Sequence, residues 1–356
     1  MRGLFITSTE AGAGKTMVAL GLALYARERG VRTSYIKPIG LASTVSEGRA
    51  MDEDVVLMKT LLDLPHPYEV LCPLVVDVHF VERLLKIGDR GMELIMRSYD
   101  QVQRDYDIVL LGGFRDVSAG LLSGLSAPEI AAKLNSTMLL ITRASSDEFI
   151  DKVLACKKLI EILGAKLQGV ILNFVPYYLQ RHIKEDIIPL LESNGMKVYG
   201  AIPEISGLLN PTIRDIAEEL RGEVLTAIDK IDATYETILV AAMGCESALI
   251  YARRAANKLV IVGGDRTDII LSVLETPTIG IVLTGGIHPG SRVIAVAEQK
   301  GVPLVLVNYD TYTTIQMIHR ISGKIKPQDI KRVSIVRENI LKHVDCRAIL
   351  EDMYSN

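Results

Sequence analysis

The sequence predicts an α/β protein of two domains, each built on a parallel sheet, and three observations carry that expectation. Val/Ile/Leu runs of four to six residues recur along the chain, which suits strands buried on both faces. The first apolar run, Leu4 to Ile6, leads through a small-residue loop, Thr7 to Gly14, into Lys15-Thr16 and a helical stretch ending at Gly30. Strand, glycine-rich loop, Lys-Thr and helix is the order of a phosphate-binding loop. The rhythm stops in Gly200 to Asp215, where glycines and two prolines interrupt any period, and restarts beyond it. With 356 residues, more than one ordinary domain holds, the limits read as 1–205, 216–330 and a helical tail over 331–356.

Composition narrows the function classes. Although 49% of the residues are hydrophobic, no run is long enough to span a bilayer, so no membrane partner is expected. A net charge of −3 without a basic cluster argues against nucleic acid. Cys72, Cys156, Cys245 and Cys346 lie far apart, indicating neither a zinc site nor a disulfide framework. A first strand beginning by Leu4 leaves no room for a secretory signal, and a cytoplasmic location is the expectation.

In the first loop, Thr9, Glu10, Ala11, Gly12, Ala13, Gly14, Lys15 and Thr16 are the candidate phosphate cradle. Backbone N–H groups and the positive helix end attract an anion, Lys15 adds a full charge, and Thr16 can offer its hydroxyl to magnesium. Thr9 stands where the strict pattern asks for glycine. Val31 to Ile36 reads as the second strand, delivering Lys37-Pro38 to the ligand edge of the sheet, where Lys37 is a site residue or a solvated strand-end lysine. Asp52, Glu53 and Asp54 open a helix, as plain first-turn acids or with Asp52 or Asp54 on a metal. Asp105 to Gly113 contains a buried strand whose Asp107 is at the wrong end for a metal ligand. Strands follow at Thr137 to Thr142 and Leu167 to Leu172. The second delivers Asn173, to read a purine edge or to cap a turn.

These elements, together with the Gly169 to Pro176 strand, resemble the dethiobiotin synthetase family of P-loop ATP enzymes over roughly residues 1 to 205. The resemblance implies ATP and magnesium as cofactors, Lys37 on carbamate and phosphate chemistry with Lys15, acids on the metal, and Asn173 at adenine. The family usually carries a glutamate where this chain has Gly112, which removes a magnesium ligand. Asp116 and the Asp52/Asp54 pair are the nearest substitutes in sequence, slow hydrolysis is expected, and Gly112→Glu should speed it.

In the second domain, strands are expected at Thr237 to Ala242, Leu259 to Gly263, Ile279 to Leu283 and Pro303 to Val307. The residues after them, Asp265, Arg266 and Thr267, then Thr284, Gly285 and Gly286, then Asp310 and Thr311, either form a second ligand site or cap helices and turns. Arg266 at a helix start suggests an anionic ligand. DRT followed by TGG resembles the DRTGG domain, a regulatory module. The two domains in this order resemble the N-terminal half of long phosphotransacetylases or their free-standing relatives, without the catalytic phosphotransacetylase domain. The resulting expectation is an ATP- and magnesium-binding regulatory protein tied to acetyl-CoA or acetyl-phosphate metabolism, the alternative an ATP-dependent carboxylase or ligase. The apolar composition and amphipathic tail suggest a homodimer.

Overall fold

The computed structural model describes residues 2–42, 44–46, 49–77, 79–205, 210–320, 325, 327 and 329–355. It divides into two units, residues 1–204 with 325–356, and residues 205–324.

The first unit begins with β1 (Arg2–Ser8), α1 (Lys15–Glu28) and β2 (Thr33–Ile36). An accessory region follows: β3 (Ile39–Leu41), β4 (Thr44–Ser46), β5 (Arg49–Met51), α2 (Glu53–Leu61), α3 (Tyr68–Leu71), β6 (Leu74–Val76), α4 (Phe80–Ile87) and α5 (Asp89–Val102). Then come β7 (Ile108–Gly112), α6 (Ala127–Lys133), β8 (Thr137–Arg143), α7 (Phe149–Ile162) and β9 (Lys166–Val175). A short α8 (Gln180–His182) passes through a wider turn into α9 (Ile188–Ser193), and β10 (Val198–Pro203) closes the segment.

The six-stranded sheet has the order β10-β9-β8-β1-β7-β2 and is parallel throughout. Its central strands are apolar on both faces, with Leu4, Phe5, Ile6, Leu110, Leu111, Leu139 and Leu140 each at most 1% exposed. Chain order reverses at β1, whose neighbours β7 and β8 receive the chain later from opposite sides. The crevice beyond the carboxyl end of β1 is therefore where such sheets hold ligands, and the glycine-rich loop emerges there.

The second unit runs α10 (Ile213–Glu219), β11 (Glu223–Val224), β12 (Thr237–Val240), α11 (Cys245–Arg254), β13 (Lys258–Gly263), α12 (Thr267–Leu274), β14 (Thr278–Thr284), α13 (Ser291–Lys300), β15 (Leu304–Leu306) and α14 (Thr311–Arg320). Four strands are parallel and consecutive in space, and β11 is antiparallel on the β15 edge. Helices α11, α12 and α13 cover one face through Ala248, Ile269, Ile270 and Val293. Ile213 and Ile216 of α10 and Ile318 of α14 cover the other.

The junction expected over Gly200 to Asp215 is shorter than the composition implied. Its first residues complete β10 in the first sheet and its last begin α10, capped by Thr212 and Asp215; residues 206–209 lie outside the described residues. The tail forms α15 (Ile330–His343) and α16 (Cys346–Ser355) and packs into the first unit. Gly21 of α1 sits against Ile340, whose Cγ1 a Cβ at position 21 would approach to 2.5 Å. Gln168 Nε2 donates to the Ile349 carbonyl at 2.8 Å. No helix among the described residues is long and apolar enough to cross a membrane.

Candidate functional site

The loop after β1 is shaped by two glycines with left-handed backbone, Gly12 at φ 77° and Gly14 at φ 96°. Gly14 is the residue before α1, and a Cβ there would collide with the Asn173 amide nitrogen and lie 3.4 Å from its Cγ. Thr9 is anchored by its N–H to the Ile141 carbonyl, 3.0 Å, and by its hydroxyl to Thr142, 3.0 Å. Thr9 thus faces β8 instead of the loop's interior. Among the described residues, none of the N–H groups from Glu10 to Thr16 donates to a protein acceptor. Seven adjacent unpaired donors at a helix head make a concave anion site.

The Lys15 ammonium lies along this loop, donating to the Ser8 hydroxyl at 2.9 Å and to the Arg115 carbonyl. Desolvation, then the neighbouring charge of Lys37, push its pKa down to about 8, with Asp54 and Asp116 opposing. Ser8 and Arg115, the partners that hold Lys15, carry no motif signal. Arg115 approaches only because β7 ends beside β1.

Lys37 is not a solvated strand-end lysine. Only 8% exposed, it donates to Asp52 at 2.9 Å and to Asp54. Burial alone would lower its pKa, but Asp54 and Asp52 outweigh that and hold it well above the ordinary lysine range. The two acids are not equivalent. Asp52 is the cap of α2, with Oδ1 accepting the Asp54 N–H at 2.9 Å and Oδ2 the Leu41 N–H at 2.8 Å. Burial, aided by Asp54, moves its pKa up although Lys37 opposes. Asp54 is also desolvated, yet Lys37, the Thr16 hydroxyl that donates to it, and Lys15 carry its pKa down. Asp54 and Thr16 therefore stand together at the head of α1, and Asp52 supports them from behind through Lys37.

The remaining sequence-predicted residues are placed as follows. Asn173 is not past a strand end but inside β9, 1% exposed. Its Nδ2 donates to the Ala13 carbonyl at 2.9 Å and its Oδ1 accepts the Phe174 N–H at 2.9 Å, so the amide closes on the loop. Asp116 holds a local turn, its Oδ1 accepting from Ser118 and Ala119, and its charge acts on Lys15. Asp107 is far from the site as read, paired with Arg32 at 2.7 Å. Position 112 has no room for a glutamate, since Tyr35 lies where the side chain would start.

Among the described residues no three His, Cys, Asp or Glu side chains converge to hold a metal by themselves. One hydroxyl and one carboxylate are nevertheless a hard oxygen pair of the kind that serves magnesium, an ion that keeps waters and takes further oxygens from phosphates. Thr16 and Asp54 fit that role.

In the second unit, the ends of β14 and β15 bring together Thr284 and Thr311, hydroxyls 2.9 Å apart, with Gly285 and Gly286 at φ 86° and 65°. Their N–H groups donate to Tyr309 and Val307 carbonyls at 2.8 and 2.9 Å. Arg266 turns toward the end of β12, its Nη2 3.3 Å from the Met243 carbonyl and its Nε 3.8 Å from Asp268. The Asp265 carbonyl accepts the Thr267 N–H at 3.0 Å in the turn opening α12. Asp310 caps α14 by accepting from the Thr313 N–H and hydroxyl, which hold its carboxyl low. The threonine–glycine cluster is thus assembled, and the Asp310 carboxylate is spent on its helix.

A family model described as an AAA domain matches residues 2–212, and one described as a DRTGG domain matches residues 215–321. The phosphate acetyltransferase of Nitratidesulfovibrio vulgaris is 28% identical over 362 residues, covering 96% of this chain and 50% of that protein. That of Pseudomonas putida is 26% identical over 369 residues, covering 97% of this chain and 51% of its own. The chain spans about half the length of the curated relatives it matches. A crystal structure of the CBS and DRTGG domains of Clostridium perfringens pyrophosphatase with diadenosine tetraphosphate overlays with a TM-score of 0.30 at 16% identity, over 42% of this chain and 80% of that one.

Proposed function

Because the chain belongs to the AAA domain family over residues 2–212 and continues into a DRTGG domain, we propose that it is a regulatory protein that binds ATP with magnesium at the head of α1. The row of unpaired N–H groups from Glu10 to Thr16 carries this reading. It suits phosphate oxygens, Lys15 supplies a cation, and Thr16 with Asp54 would hold magnesium. When bound, the metal would neutralise phosphate charge. Asn173 positions the loop by fixing the Ala13 carbonyl away from the cradle.

In this reading Lys37, held between Asp52 and Asp54, keeps Asp54 ionised beside Thr16. The second unit is the sensor, with an anionic small molecule expected at Thr284, Gly285, Gly286 and Thr311, reached by Arg266. The relatives named phosphate acetyltransferase support a link to acetyl-CoA or acetyl-phosphate metabolism. A homodimer in the cytoplasm is the expected working form.

The test is thermal denaturation with ATP and magnesium. At a hundredfold excess over Kd, binding adds about 2.7 kcal/mol, and the midpoint should rise by roughly 5–10 °C. Lys15→Ala should show no rise, and equal stabilisation of both proteins would refute the assignment.

A further inference from the structure

Tyr35 and Gly112 occupy one space. Strand register pairs Tyr35 with Leu110, so residues 35, 110 and 112 share a sheet face, and Tyr35 is the diagonal neighbour of position 112. A Cβ at 112 would collide with the Tyr35 hydroxyl oxygen and lie 2.7 Å from Cζ. The ring is 2% exposed and cannot swing into solvent to make room. This space borders the site, for Tyr35 lies in the field of Lys37, Asp54 and Asp52, although burial contributes most to raising its own pKa.

We propose that Tyr35 is a specificity-determining plug: by filling the position from which a side chain at 112 would face the Thr16–Asp54 pair, it excludes a further carboxylate and keeps the site a nucleotide binder with slow turnover. The inference rests on the nucleotide reading above. It accounts for the lack, among the described residues, of a three-acid group there: the neutral phenol leaves two ammonium and two carboxylate groups in balance around the site, where another acid would add negative charge for a metal to offset. Gly112 alone is therefore not a lost ligand that a single substitution restores.

The experiment uses the full chain and two backgrounds, wild type and Tyr35→Val, which keeps a strand-favouring residue. Without nucleotide, Gly112→Ala should lower the thermal midpoint of wild type by about 4 °C or more, the scale of overpacking in a large unit. In Tyr35→Val the same change should cost less than about 1 °C. Tyr35→Phe, which removes only the hydroxyl, provides a milder background should Tyr35→Val not fold, and there the cost should be intermediate. Phosphate release from ATP with magnesium should be at least about tenfold faster in Tyr35→Val/Gly112→Glu than in wild type, and unchanged or lower in Gly112→Glu alone. An equal cost of Gly112→Ala in all backgrounds overturns the shared space, and a double variant no faster than wild type overturns the control of turnover. Failure of the wild type to bind ATP overturns the nucleotide reading and the turnover claim with it, while the nucleotide-free cycle still decides the shared space.

Discussion

Replacing Lys37 by Met removes the one cation between Asp52 and Asp54 while keeping most of its volume. Side-chain exposures are 3% for Asp52 and 31% for Asp54, so the first would be left ionised in the interior and the second partly so. Breaking a buried pair by removing one partner costs about 3–5 kcal/mol, and the exposure of Asp54 places this case near 3 kcal/mol at pH 8. The pH course is diagnostic. In wild type, Lys37 has a raised pKa, so its contribution is present below the unfolded value and is lost only as pH rises through the folded one. Asp54 has a lowered pKa, so its contribution is present above the unfolded value and is lost as pH falls through the folded one. Asp52, raised, adds an opposing slope in acid. In Lys37→Met both carboxyls should lie above their unfolded values, and stability should recover as pH falls and they take up protons. The expected loss is thus about 3 kcal/mol at pH 8 shrinking to about 1 kcal/mol at pH 5, or roughly 6–12 °C against 2–4 °C in the transition of the first unit. Calorimetric scans of both proteins at pH 5, 6.5 and 8 read this directly. A loss of equal size at pH 5 and pH 8 would refute the ionised triad, and no loss at all would restore Lys37 as a solvated strand-end lysine.

Because Lys15 sits near pKa 8 in the free protein and an anion beside it favours the charged form, ATP affinity should fall by up to about tenfold between pH 7 and pH 9, as titration calorimetry can follow; a flat profile would remove Lys15 from the phosphates. Gly14→Ala should weaken ATP at least tenfold through its left-handed backbone and its collision with Asn173, whereas Asn173→Ala, which loses the bond that fixes the loop at Ala13, worth about 1 kcal/mol, besides its bond from the Phe174 N–H, should weaken it about fivefold. If Asn173→Ala instead abolishes adenine discrimination against GTP with the affinity for inorganic triphosphate unchanged, it reads the base after all. In the second unit, Thr284→Val should remove a hydroxyl pair and weaken anion binding, and Arg266→Ala should leave the melting temperature within about 1 °C while lowering anion affinity, since its protein partners are long and exposed. Unchanged binding in both would make the threonine–glycine cluster structural only. Light scattering should give about twice 39.1 kDa, and a monomer at micromolar concentration would contradict the dimer.

What was legible in the sequence follows from what is local. Central strands such as β1, β7 and β8 read as apolar runs because both their faces are buried, and the glycine loop reads because its conformation is fixed by residues next to one another. Strand β10 did not, because an edge strand tolerates Gly200 and Pro203 and its pairing with β9 shifts register twice. Strands β3 and β6 left no signal because each has three residues and they pair only with one another. The amphipathic tail was visible, but its partner was not: Ile340 finds Gly21 and Arg337 finds Glu28, contacts more than three hundred residues apart that no window of sequence contains. The site shows the same division. Gly14-Lys15-Thr16 could be named from its spacing, but the roles of Lys37, Asp52 and Asn173 depended on which neighbour took up each polar group, and all three proved to be held by other protein groups. Gly112 is the sharpest instance. Taken along the chain it was a glutamate missing from a strand end, a vacancy to be filled. Across the sheet, Tyr35 fills that space from the adjacent strand, so the meaning of residue 112 resides in a pair 77 positions apart in sequence and diagonal in register. A missing side chain in a parallel sheet is therefore interpretable only with the facing residue of the next strand, because register decides whether the space is open.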